Sequence, residues 1–364
     1  MRMEEGKMNH TLGGNAIKWV TFPDLDVAKF LMAFLVVEIH TRPFGNGPIV
    51  QGIDCVAVPF FFIASAFLCF RGLAAADLAD GGSAACARVW KTTKKLLRLY
   101  LTWTVVFIPV SVFGFAMNGV EPAKAVVSFV RGTLLVGENI YSWPLWYLLA
   151  SAVAFFLVLV LLQRRVCPRC VLAIAAGFAL LGFAISCAHE WGRGPALLAR
   201  PVGLYFKLFG NVRNGLFEGF LYVALGMCLG LKWERAAAVS PAASAAMAVL
   251  GAAGCVLVTP DAHLPFCALF ALGAFLLSVH RHGENVGQHA LLRNASTGIY
   301  LTHMIFVVVF IYGIYGSTDP VTTMNSQVPH MATFAFAAAC SLATSVVASR
   351  LARRSRAVRE LFGF

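Results

Sequence analysis

Charge is scarce in this chain. Only 13% of its 364 residues are Asp, Glu, Lys or Arg, and 59% are hydrophobic, whereas a soluble domain is about a quarter charged and about half apolar. That balance excludes a large soluble enzyme and leaves a polytopic membrane protein. Acidic residues are the scarcer sign, 17 against 29 basic, for a net charge of +12. In a membrane protein this excess marks cytoplasmic surfaces, so nucleic acid is not expected as a partner. The chain also lacks a second C-x-x-C at zinc-ribbon distance from Cys167 and Cys170. Most other cysteines (Cys55, Cys69, Cys187, Cys228, Cys255, Cys267, Cys340) are isolated in apolar segments and read as small hydrophobes. No metal is expected. A cleavable signal is not expected either: the polar start of about twenty residues lacks a short apolar run and cleavage site.

What is present is a series of apolar segments, each close to the roughly 20 residues that span a bilayer. Ten are predicted, beginning near Leu25, Gly52, Leu96, Trp143, Cys170, Arg213, Val239, Leu264, Ser296 and Pro329. Ala123–Val136 and Ala196–Phe209 are shorter and read as interfacial or re-entrant helices. With the N-terminus in the cytoplasm, the inner loops carry 21 Lys and Arg and the outer loops 7. This bias predicts that both termini are cytoplasmic. The expected organisation is a cytoplasmic segment 1–20, an all-α transmembrane bundle over 21–352 and a basic cytoplasmic tail, 353–364.

The first span is unusual. "DVAKFLMAFLVVEIHTRPF", Asp26–Phe44, carries Asp26, Lys29, Glu38 and His40 within an apolar run. Eleven helical steps from Lys29 to His40 complete about three turns, so the two share a face about 16 Å apart. Asp26 lies near that face. Ionisable groups inside a membrane usually face a cavity or a partner. The plainer alternative is an Asp26–Lys29 pair at one interface and a snorkelling His40 at the other. Other groups stand out further along. Lys94, Lys95 and Arg98 form a basic cluster at the entry to the third span. Trp146 and Tyr147 begin the fourth. Arg213, Asn214 and Glu218 open the sixth, and His303 lies within the ninth. Each has a bland reading: a positive anchor, interface aromatics, an Arg213–Glu218 pair, a histidine bonded to a neighbouring helix. Ser65 is a candidate nucleophile or, with Ala66, a small-residue packing site.

The first-span pattern resembles the acyltransferase-3 family of membrane acyltransferases, with Lys29 in the place of an Arg. "IHTRPF" also resembles the membrane half of vancomycin-resistance serine racemases. Four later stretches fall in the family's order: "VPFFFIASAFL" (Val58–Leu68), "KKLLRLY" (Lys94–Tyr100), "LWYLLA" (Leu145–Ala150) and "STGIYLTH" (Ser296–His303). The resemblance covers about residues 20–350. It implies an enzyme that takes an acyl group, acetyl first of all, from cytoplasmic acyl-CoA. The implied acceptor is a hydroxyl on an extracytoplasmic envelope glycan, lipid or small molecule. Within that reading His40 is the base, Lys29 and Asp26 act with it, and Lys94, Lys95 and Arg98 hold CoA phosphates. Arg213, Asn214, Glu218, Trp146, Tyr147 and His303 bind the acceptor. The alternative is a transporter or supply module for a serine-like solute. A third is a structural or sensing protein without chemistry. No racemase domain is expected, because the chain stops soon after the last span.

Overall fold

A computed structural model describes residues 20–73, 82–190, 196–258, 263–283, 290–316 and 329–364. The expected segment 1–20 lies almost wholly outside them. Helices are α1 Pro23–Thr41, α2 Pro48–Asp54, α3 Ala57–Phe70, α4 Ser83–Met117, α5 Pro122–Arg131, α6 Trp146–Gln163, α7 Pro168–Glu190 and α8 Ala196–Phe209. They continue as α9 Phe220–Leu231, α10 Trp233–Ala237, α11 Pro241–Leu257, α12 Leu264–Val279, α13 Ala290–Val308, α14 His330–Leu351 and α15 Arg356–Phe362. Among the described residues the only β pairing is an isolated bridge, Thr21 to Gly283.

Among the described residues, six helical stretches are long and apolar enough to cross a membrane: Pro48–Phe70, Ser83–Met117, Trp143–Gln163, Pro168–His189, Ala290–Ile314 and His330–Leu351. Three more, Gly215–Leu231, Pro241–Leu257 and Leu264–Val279, are apolar but shorter. At 1.5 Å per residue even these approach the hydrocarbon thickness. α1 has 19 residues, and its four charged side chains keep it outside a purely hydropathic definition. Together these make the ten expected helices, in the expected order. The protein is an integral membrane protein.

α3 forms the centre. Phe60, Phe62, Ile63, Phe67 and Phe70 are fully buried on it, and α9 and α12 pack against it. Close approach of α3 and α9 requires small residues: a Cβ at Gly226 would overlap the Ile63 carbonyl and Ala66. The packing role considered for Ala66 is therefore seen. α1 leans on α13, α11 on α12, and α13 on α14. The lipid-facing perimeter exposes Leu31, Val105, Leu180, Val249 and Leu250. The two segments expected to be interfacial or re-entrant fold as α5, continued by a π-helical turn, and α8. α5 buries none of its residues, and Arg131 donates to the Lys207 carbonyl of α8 at 2.9 Å. The basic tail is not free. It folds as α15 against α4, where Trp103 Nε1 donates to the Leu361 carbonyl at 2.8 Å and Phe362 is buried.

Candidate functional site

α1 joins two chemically different ends of the bundle. At its start, arginines gather. Arg293 is 3.8 Å from Asp26 and Arg281 3.6 Å from Asp24. Arg71 donates to the Val20 carbonyl at 2.7 Å, and Arg88 to the Arg71 carbonyl at 3.2 Å. Asp26 is thus within ion-pair distance of Arg293, and among the described residues no ion pair within 4 Å joins it to Lys29. Lys94, Lys95 and Arg98 project from α4 as exposed side chains, with Lys94 over the Trp90 ring.

At the other end a cavity of about 800 Å³ opens. On α1 its wall runs through Val36, Ile39 and His40. Lys29 lies seven residues before Val36, about 10 Å further along the helix. Asp26, Lys29, Lys94, Lys95 and Arg98 are not in the wall. Lys29 and His40 share a helix face but not one cavity.

α1 ends in a left-handed turn at Arg42 (φ 50°), whose N–H bonds the Glu38 carbonyl. This conformation is uncommon for a side chain other than glycine. It brings Arg42 to the cavity, where its guanidinium meets Asp54 of α2 at 2.5 Å. Glu38 is buried just inside, beside the Asp54 carboxyl of α2.

His40 is half-buried and neighbours two rings. Trp143 stacks at 6.1 Å between centroids, and His303 of α13 lies at 5.4 Å. His303 is fully buried. Its Nδ1 is 3.0 Å from the Ile299 carbonyl. A carbonyl only accepts, so Nδ1 carries the hydrogen, and Nε2 of the neutral ring is left as an acceptor. Nε2 is buried without a partner among the described residues. The fold therefore sets a second, polarised imidazole beside His40.

Opposite them, Arg213 and Glu218 line the same cavity. Among the described residues no ion pair within 4 Å joins them. Glu218 sits in a π-helical turn, Gly215–Gly219, that leads into α9; such turns often mark functional sites. Asn214 caps this turn. Its side-chain oxygen accepts from Leu216 N at 2.9 Å and Phe217 N at 3.0 Å, and its amide donates to Tyr205 Oη at 2.7 Å. Its polar atoms are thus engaged in the fold. Trp146 and Tyr147 line the wall, with Tyr147 Oη 3.1 Å from Ser65 Oγ.

Several wall residues carry no strong local signal in the sequence. Asp54, Glu138, His189, His263 and Tyr300 belong to this group. Glu138 lies in the loop before α6, where burial pushes its carboxyl up and Arg213 pulls it partly back. Cys55, Cys255 and Cys267, read above as isolated hydrophobes, correct that expectation. Cys55 Sγ lies 3.3 Å from Cys255 Sγ, and Cys267 Sγ is 2.8 Å from the Cys55 carbonyl. Tertiary packing alone brings them together.

The comparisons with known proteins agree with this architecture. The family model for an acyltransferase domain, acyltransferase-3, matches residues 22–350. The chain is similar to a serine/alanine racemase of Enterococcus gallinarum, 28% identical over 213 residues. It is also similar to an amino-acid racemase of Enterococcus faecalis, 27% identical over 218 residues. Each match covers 57% of this chain and 28% of the racemase, so the chain corresponds to only part of those proteins. No solved structure gives a significant match. The chain belongs to the acyltransferase-3 family of membrane acyltransferases.

Proposed function

We propose that the protein transfers an acyl group, acetyl first of all, from acyl-CoA to a hydroxyl of an extracytoplasmic acceptor. The observation that carries this reading is His40 in the wall of a polar cavity, with His303 beside it and Arg213 and Glu218 across from it. The acceptor hydroxyl gives its proton to a ring nitrogen of His40. Its oxygen then attacks the thioester carbonyl. The carbon–sulfur bond breaks, and CoA leaves as the thiolate and takes up a proton. A histidine suits the first step because its ordinary pKa lies near neutrality. The acceptor, whether envelope glycan, lipid or small polyol, lies in the His40-end cavity. Its polar groups meet Arg213, Glu218, Trp146 and Tyr147.

The donor binds at the opposite, basic end, where Lys94, Lys95 and Arg98 suit CoA phosphates. Lys29 and its neighbour Asp26 lie on the way to the cavity. Lysine is a point charge without a bidentate fork, so it steadies one passing oxygen at a time. The stretch from Lys29 to Val36 must open for the thioester to reach His40. This step belongs to the donor, not to the acceptor.

A second reading is favoured by one pairing. Arg213 and Glu218, both free of an ion pair with each other, complement a carboxylate and an ammonium. The racemase relatives make an amino acid a relevant solute. In this reading the cavity supplies a serine-like zwitterion across the membrane. Purified protein in proteoliposomes separates the two. Acceptor-dependent release of CoA from acetyl-CoA supports acyl transfer. Serine flux without acetyl-CoA consumption supports supply and contradicts acyl transfer.

A further inference from the structure

We propose that Cys55, Cys255, Cys267 and His263 form a binding site for a thiophilic divalent cation, zinc first of all, that staples the cavity wall. One ligand atom from each of Cys55, Cys255 and His263 lies within 4.8 Å of the others. The three come from different elements: Cys55 caps α2, Cys255 lies near the end of α11, and His263 caps the start of α12. Cys267, four residues after His263, occupies the next turn of α12 and places its Sγ 2.8 Å from the Cys55 carbonyl. Cys267 lies outside the 4.8 Å group of three, and its thiol donates to that carbonyl; turning the thiol from the carbonyl toward the ion would make it the fourth ligand.

The histidine carries a further mark of a metal site. Its Nε2 is 3.0 Å from the Val258 carbonyl. That nitrogen must carry the hydrogen, which leaves Nδ1 with a free lone pair. Metal-bound histidines usually donate their other N–H to a carbonyl or carboxylate in this way, which fixes the tautomer and the ring. His263 is also buried, at 9% exposure, so its ring is held in place.

Ligand spacing is suitable. Zinc bonds sulfur at about 2.3 Å and nitrogen at about 2.0 Å, so ligand atoms of a tetrahedral site lie about 3.5–3.8 Å apart. The Cys55–Cys255 separation of 3.3 Å and the 4.8 Å limit for Cys55, Cys255 and His263 bracket that range. Binding displaces the three thiol protons to solvent, and three thiolates with a neutral imidazole give the site a net charge of −1. A disulfide between Cys55 and Cys255 would use only two of the four groups. It would leave no purpose for the oriented imidazole.

The site would join α2 to α11 and α12. Cys55, His263 and Cys267 also line the cavity, so the ion would hold one wall in register. This follows from the cluster itself and does not depend on the proposed acyl transfer.

The test is metal analysis of the full-length protein, purified in detergent under reducing conditions and dialysed against zinc. About one zinc per chain is expected, and cobalt in its place should give a thiolate-to-metal charge-transfer band. Cys255→Ser and His263→Asn should each lose the zinc. Cys167→Ser with Cys170→Ser should keep it, because that exposed pair lies elsewhere. Should a cluster variant fail to fold, alkylation of the wild type still decides the matter. Zinc should protect Cys55, Cys255 and Cys267 from alkylation, and a chelator should restore their reactivity. A reduced wild type that binds neither zinc nor cobalt overturns the proposal. So does zinc that disappears only with Cys167 and Cys170, or a Cys55–Cys255 disulfide that persists under reduction.

Discussion

Two carboxyls, Glu38 buried just inside the cavity and Glu138 in its wall, lead to different tests. Glu38 is buried against the Asp54 carboxyl of α2. Two adjacent buried carboxyls cannot both carry charge at low cost, so a neutral isostere at Glu38 should be tolerated. Glu38→Gln should keep or raise the thermal midpoint in detergent, and a clear drop would show a bonded carboxylate there. Glu138 lies outside the spans, and its carboxyl is pushed up by burial. The folded state then holds its proton more tightly than the unfolded chain. Stability is therefore lost as pH rises from the ordinary glutamate range through the raised folded value. Glu138→Gln should flatten that limb of the melting-temperature profile; an unchanged slope would contradict the assignment. Neither position was marked in the sequence as functional. Glu38 was visible as a charge in an apolar run, but its surroundings come from α2, and α2 meets it only in the fold. Arg42 and Asp54 were silent for the same reason.

At the scale of elements, α1 was the most legible part of the site. Its charges recur at helical spacing, so the shared face of Lys29 and His40 follows from 3.6 residues per turn. The ten helices were equally visible, because apolar length is a local property. Convergence of distant helices is not local. Cys55 and Cys255 are 200 positions apart, and no periodicity connects them. The cap role of Asn214 was hidden too, since a π-helical turn shifts the register that a simple helix would have. Lys29 provides the element-scale test. In the proposed path it lies between the basic end and the cavity, on the stretch the donor would have to open. Lys29→Arg should preserve or raise acyl transfer, because the fork adds a second hydrogen bond to a passing anion. Lys29→Ala should reduce turnover with little change in the acceptor's apparent KM. A raised acceptor KM with unchanged turnover would place Lys29 at the acceptor instead.

On the scale of the whole molecule, the account needs two ends with separate duties. We propose, from the charge bias of 21 to 7, that the basic end faces the cytoplasm. Reporter insertions at Ser355 and Gly119 should then report cytoplasmic and external locations, respectively; a reversed pair would invert the path. Lys94, Lys95 and Arg98 are exposed at the basic end and contribute little to the core. Changing all three to Gln should raise the apparent KM for acyl-CoA and leave the fold intact. An unchanged KM would make them a positive-inside anchor only.

Both duties meet at His40, and its removal tests the account most directly. The measurement is acceptor-dependent CoA release by purified His40→Ala protein, compared with wild type at matched folding. The account predicts a loss of about 100- to 10,000-fold, the usual cost of removing a general base, with the thermal midpoint nearly unchanged. Acyl transfer close to the wild-type rate in folded His40→Ala protein would contradict it and move the solute-supply reading ahead.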